Sequence, residues 1–221
     1  MITKSTFSFL KDLKANNNRD WFQASKVRYE AAHSEFLGLI THLVAAMIQS
    51  DPGISGLNPK DTIFRIYRDV RFSKDKSPYK THMGAYLIKG GKKSGKAGYY
   101  IHLEPGGCFA AGGVWQPAPD RLRILRNEIF DNIDEFKAIL DDPAFKAIFP
   151  ELIGDRLTNP PKGFPGDHPD IDLLKYKSYA IGRNMSDQQL LGEGAVEEVA
   201  GMFTLMVPFI RFINNAFEHS Q

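Results

Sequence analysis

The chain has 221 residues, of which 43% are hydrophobic and 24% charged, with a net charge of +2 and one cysteine. That composition suits a soluble globular protein with a real core; the lone Cys108 rules out an intrachain disulfide and a cysteine-rich zinc site. No window reaches the roughly 20 apolar residues of a membrane span, and the polar N-terminus MITKSTFSFLKDLK lacks the apolar stretch of a signal peptide, so a cytoplasmic location is expected.

Phe7, Leu10 and Leu13 share a helical face, and the Asn16-Asn17-Asn18 turn should stop that first helix. Asn18 or Asp20 can cap a long second helix, in which Phe22, Tyr29, Phe36, Ile40, Leu43 and Met47 recur at helical spacing until Asp51-Pro52-Gly53. The middle of the chain reads as β. Segments 62–68, 83–88, 98–104 and 108–114 are short β-branched or aromatic runs, and Pro105-Gly106-Gly107 joins the last two as a hairpin. The lysine-rich stretch 89–97 is a flexible hairpin loop between the second and third of them. No helix lies between these runs, so an antiparallel meander follows.

Beyond Pro117 the pattern returns to helix, first with Leu122, Leu125, Ile129 and Phe130, then with Phe136, Ile139 and Leu140 up to Asp142-Pro143. The segment 159–169, NPPKGFPGDHP, has the glycines and prolines of an irregular loop. A final helix carries Val199, Phe203, Met206, Ile210, Ile213 and Phe217 on one stripe, with a kink expected at Pro208. The expected fold is α+β: one domain over residues 1–221, an antiparallel sheet of about four strands (62–68, 83–88, 98–104, 108–114) covered by N- and C-terminal helices.

Charge is concentrated in the middle of the chain. Residues 60–96 hold eleven lysines and arginines against three aspartates, a local net of +8 that leaves −6 for the rest. Such a basic segment on an acidic body draws anions to one place. Arg65, Arg68, Arg71, Lys74, Lys76 and Lys80 are therefore the candidate anion-binding residues, guanidinium groups suiting bidentate phosphate or carboxylate recognition. The competing reading has Asp69 and Asp75 pairing with neighbouring arginines, the remaining charge being solvated surface.

Tyr100, His102 and Glu104 alternate onto one face of the third strand and are the candidate catalytic groups, since an imidazole between a phenol and a carboxylate can move protons. His82, at the start of the preceding strand, could approach His102 and complete a two-histidine, one-carboxylate set. A strand histidine bonded to its neighbours is the commoner result of alternation, so no metal is assigned. Residues 90–96, GGKKSGK, match the opening of a phosphate-binding P-loop, but Ala97 stands where a hydroxyl is needed and a strand rather than a helix follows. Pro161-Lys162-Gly163-Phe164 reads as a structural wrap with Phe164 as a plug, Trp21 and Trp115 as core or cleft-lining aromatics, and Cys108 as a small buried hydrophobe.

The segments NNNRDWF (16–22), RIYRDVRFSKDKSPYKTHMG (65–84), GYYIHLEPGG (98–107), GGVWQP (112–117) and PKGFPGDHP (161–169) together resemble the family known as domain of unknown function 2461. The resemblance spans nearly the whole chain and implies a single-domain soluble protein, with no reaction, cofactor or catalytic residue to carry over. Three functions are open at this point: an anion-binding pocket, which could be that of an enzyme acting on a phosphorylated or other anionic small molecule; a nucleic-acid-binding module; and a structural domain whose Arg/Asp/Tyr run is an internal ion-pair network.

Overall fold

The computed structural model describes residues 1–219. Helix α1 (Lys4–Ala15) buries Phe7, Leu10 and Leu13 as the periodicity requires. Asn18 caps α2 (Arg19–Ala24) by accepting from the Trp21 amide at 2.9 Å. Ser25 then leaves helical geometry, so the expected single second helix is divided into α2 and α3 (Lys26–Met47). The middle asparagine of the turn reaches further. The Asn17 side chain donates to the Tyr79 carbonyl at 2.9 Å and accepts from the Tyr79 amide at 3.1 Å, tying the basic segment to the first helices. A 3-10 turn (Pro52–Ile54) and the single-turn α4 (Pro59–Thr62) lead into that segment.

The sheet has four antiparallel strands in sequence order, β1 (Met83–Leu87), β2 (Gly98–Leu103), β3 (Cys108–Val114) and β4 (Tyr179–Met185). Three of them match the sequence reading to within a residue. The fourth corrects it: segment 62–68 contributes only isolated bridges, Ile63 to Ala85 and Tyr67 to Tyr79. Phe64 donates its amide to Gly84, but Arg68 donates to Pro78 and Lys80 to Ile66. The segment begins beside β1 and then leaves it to pair with residues 78–80, so no continuous ladder forms with either partner. Its place is taken by β4, whose Gly182-Arg183-Asn184 interrupts the apolar alternation that would have revealed it.

Between β3 and β4 lie α5 (Pro119–Asp131), α6 (Ile133–Asp141), α7 (Pro143–Ile148) and the single-turn α8 (Ile171–Leu174). After β4 come α9 (Asp187–Leu190), closed by a capping box from Ser186 and Gln189, and α10 (Ala195–His219), which continues through Pro208. Phe164 packs edge-on against Phe130, in the plugging position expected of it.

The two faces of the sheet have different fates. Met83, Ala85 and Leu87, then Tyr99, Ile101 and Leu103, point into the core against α3 and α10. Tyr99 meets Phe203 at 5.2 Å, and Gly112 lets α10 approach so closely that a β-carbon there would stand 2.6 Å from the Met206 sulfur. The alternate residues form the opposite face. By register these are Gly84 and Tyr86, Gly98, Tyr100 and His102, then Phe109, Ala111 and Gly113, and finally Ala180 and Gly182. No helix among the described residues is long and apolar enough to cross a membrane.

Candidate functional site

Period-two alternation gives that second face a floor of small residues, Gly98, Ala111, Gly113 and Ala180, between large aromatic ones. The result is a cleft of about 730 Å³. Its walls include Phe64, Tyr86, Tyr100, Phe109 and Trp115. The Tyr86 hydroxyl is fixed by donating to the Gly113 carbonyl at 2.8 Å. Trp115 is 58% exposed at the rim, held there by the turn at Gln116, whose positive φ of 45° is retained while its amide donates to Ser178 Oγ at 2.9 Å.

At one end of the cleft, cations gather on a single aromatic ring. Lys92 Nζ lies 4.9 Å and Lys80 Nζ 5.3 Å from the centre of Phe64, which itself meets Tyr100 edge-on at 6.2 Å. Burial holds the Lys80 ammonium below its ordinary pKa, and repulsion from Arg65 and Lys92 adds to the shift. Lys92 is lowered by burial too, partly offset by Asp61, and donates to the Ile63 carbonyl at 2.7 Å.

Tyr100 also connects the cleft to a buried polar chain. Its hydroxyl is 2.9 Å from His102 Nδ1, and His102 Nε2 is 3.3 Å from Glu104 Oε2. Phe109 stacks on the His102 ring at 4.6 Å, with 16° between the planes. Burial acts to raise Glu104, but hydrogen bonds from His102 and Thr81 and the charge of Lys14 outweigh it and keep the group below the usual glutamate value. A carboxylate at Glu104 makes Nε2 the protonated imidazole nitrogen, so Nδ1 accepts from the Tyr100 hydroxyl. Burial lowers His102 and pushes the Tyr100 phenol up to about 12. His82 lies beside this chain, its ring 4.3 Å from that of His102, and burial followed by repulsion from His102 brings it down to about 4.

The structure thus brings Tyr100, His102 and Glu104 together. It spreads the six basic candidates more widely. Arg68 pairs with Asp75 at 2.5 Å and also donates to the Ser77 carbonyl; Arg71 pairs with Asp69 at 2.7 Å; Lys76 donates to the Val70 carbonyl at 3.0 Å. These contacts are internal to the turn 68–77. Lys80 sits over the ring of Phe64, a wall of the cleft, with Arg65 near it, and Lys74 has no ion pair among the described residues. Sequence reasoning missed Phe64, Tyr86, Phe109 and Lys92 as cleft residues. The alternation of β1 to β3 could have located the aromatic pair Tyr86 and Tyr100 on one face, but not the return of loop 89–97 over Ile63. Cys108 is buried, and burial pushes its thiol up to about 11, as suits a packing residue rather than a nucleophile.

Among protein families, the model described as "Conserved hypothetical protein (DUF2461)" matches residues 5–212. Comparison with curated proteins and with solved structures returns no match.

Proposed function

The chain belongs to the DUF2461 family of conserved hypothetical proteins, and we propose, from its own side chains, that the open face of its sheet binds a small amphipathic anion. The flat apolar body of such a ligand would lie on the small-residue floor between Tyr86, Tyr100, Phe109 and Trp115, with its carboxylate or phosphate at Lys92 and Lys80. The observation that carries this reading is the pairing of an aromatic-walled cleft of about 730 Å³ with two partly desolvated ammonium groups on one of its rings. Two like charges packed on Phe64 repel each other, and an anion placed between them relieves that repulsion while forming charge-assisted hydrogen bonds. A cytoplasmic setting suits this reading, because the single thiol is buried and makes no disulfide.

The polar chain behind Tyr100 supports binding more than proton transfer. Forming a phenolate there would move a proton from a group of pKa about 12 to an imidazole held below 6.5. Both shifts, a phenol made less acidic and an imidazole made less basic by burial, oppose that transfer before any substrate has reacted. The chain instead fixes the Tyr100 ring as a wall of the cleft.

The test compares two probes of the same shape, 2-naphthoate and 2-naphthalenemethanol, titrated against the full-length protein and followed by tryptophan fluorescence. The carboxylate should bind at least about tenfold more tightly than the alcohol, and Lys92→Ala or Lys80→Ala should abolish that difference while leaving the alcohol's affinity unchanged. Equal binding of the two probes, or a carboxylate preference that survives both substitutions, would overturn the assignment.

A further inference from the structure

Just outside the cleft, β1 and β2 bring together two imidazoles and a carboxylate. His82 immediately precedes β1, His102 lies on β2, and Glu104 follows β2. The register that opposes Met83 to Leu103 places residue 82 across from residue 104. Ligand atoms from all three side chains lie within 4.8 Å of one another. His102 Nε2 and Glu104 Oε2 are already 3.3 Å apart. That is about the edge of a coordination tetrahedron whose metal–nitrogen and metal–oxygen bonds are about 2.0–2.2 Å long.

The surrounding contacts aim these atoms. Tyr100 occupies His102 Nδ1 at 2.9 Å, which directs Nε2 away from the cleft and towards Glu104. Thr81 Oγ1 and Lys14 Nζ take the other glutamate oxygen, Oε1, at 3.3 and 3.5 Å, leaving Oε2 for the shared space. Phe109 stacks on the His102 ring and fixes its plane. A ligand histidine held through its second nitrogen, beside a carboxylate held through its second oxygen, is the arrangement that outer contacts give to metal ligands. Among the described residues Lys14 is the cation that pairs with Glu104; it is 68% exposed and can turn to solvent, while Lys80 acts on His82 only through its charge. Both His82 and Glu104 are partly exposed, so an ion has a path in.

We infer that His82, His102 and Glu104 bind one first-row divalent metal ion of the zinc type, with water completing its coordination. Two imidazoles and one carboxylate favour zinc, cobalt or iron over magnesium or calcium, which prefer all-oxygen sites. The inference stands apart from the identity of the cleft ligand, although it changes one hydrogen bond at the cleft wall. A metal on Nε2 requires the imidazole proton to sit on Nδ1, which then donates to the Tyr100 oxygen and releases the phenol's own hydrogen for a new partner.

Metal-free, full-length protein would be titrated with Co²⁺, followed by its visible absorption, and Zn²⁺ affinity would be measured by competition. One equivalent should bind. His82→Ala and Glu104→Gln should each weaken binding by more than about 100-fold, and Tyr100→Phe, which removes only the outer contact, by about 10–100-fold. His42→Ala, at a helix surface away from the group, should leave uptake unchanged. Circular dichroism of each metal-free variant shows whether it folds, and zinc-edge anomalous scattering from soaked wild-type crystals locates the ion without any variant. No uptake, uptake indifferent to both His82→Ala and Glu104→Gln in folded protein, or an anomalous peak elsewhere would overturn the inference.

Discussion

Gly84→Ala probes the junction between cleft and polar chain with the addition of one methyl group. An alanine β-carbon there would stand 2.5 Å from the Tyr100 hydroxyl oxygen and 3.1 Å from two of its ring carbons. Restoring ordinary contact requires the phenol oxygen to move by about 0.9 Å, which disturbs the 2.9 Å bond it makes with His102 Nδ1. Losing the bond costs about 0.5–1.5 kcal/mol. Local overpacking adds about 1–3 kcal/mol, and replacing a strand glycine by alanine returns about 0.5–1 kcal/mol. The net expectation is a destabilisation of about 2 kcal/mol, measured by urea unfolding in chelator-treated buffer. Tyr100→Phe removes the clashing oxygen, so in the double variant Gly84→Ala should cost less by about 1 kcal/mol than it does alone. Additive single and double effects, within about 0.5 kcal/mol, would refute the claim that the hydroxyl is seated over Gly84.

Two further outcomes concern the basic turn. Arg71→Ala should leave the urea midpoint almost unchanged, because Arg71 is 76% and Asp69 45% exposed and such pairs contribute little; outright unfolding would restore the reading of this run as a network that specifies the fold. Asp75 is lowered to about 2 by hydrogen bonds from Ser77 and from Arg68. A depressed carboxylate contributes order that is present above its unfolded value near 3.8 and is lost as pH falls through about 2, so amides 73–77 should remain protected at pH 3 and lose protection below pH 2, as followed by NMR hydrogen exchange.

What the sequence made legible was whatever obeys a local period. The stripes of α1, α5 and α10 and the alternation in β2 depend on spacings of three to four or of two. The burial of Leu10, Leu125 and Phe203, and the shared face of Tyr100, His102 and Glu104, follow from them. The exchange of 62–68 for 179–185 in the sheet had no such signal. Ile63, Phe64, Ile66 and Tyr67 are strand-forming residues, yet their backbone partners change from β1 to 78–80 midway. Conversely, Gly182, Arg183 and Asn184 are poor strand residues that pair with Ala111, Ala110 and Phe109 because β3 presents an otherwise bare edge. Long-range pairing overrode propensity in both cases. The cleft was hidden for the same reason, since Phe64 and Lys92 reach it only through the packing of 62–68 and of loop 89–97.

The charge excess of the middle segment takes on a different meaning once its partners are known. Asp69 and Asp75 neutralise Arg71 and Arg68, and Lys89 and Lys96 both pair with Glu218 on α10. Lys76 is bound to a carbonyl within its own turn. What remains near the cleft is Arg65, Lys80 and Lys92; among the described residues, none of the three has a carboxylate at ion-pairing distance, while Lys80 and Lys92 share the ring of Phe64. Repulsion of Lys80 by Arg65 and Lys92 is unfavourable for folding unless something opposes it; Asp61 moderates Lys92, and Asp69 attracts Arg65 from a distance. The segment therefore divides by use. Its turn, 68–77, pairs Arg68 and Arg71 internally and leaves Lys74 without an ion pair among the described residues, and its two flanks place Lys80 and Lys92 on Phe64, where the proposed anion would meet them.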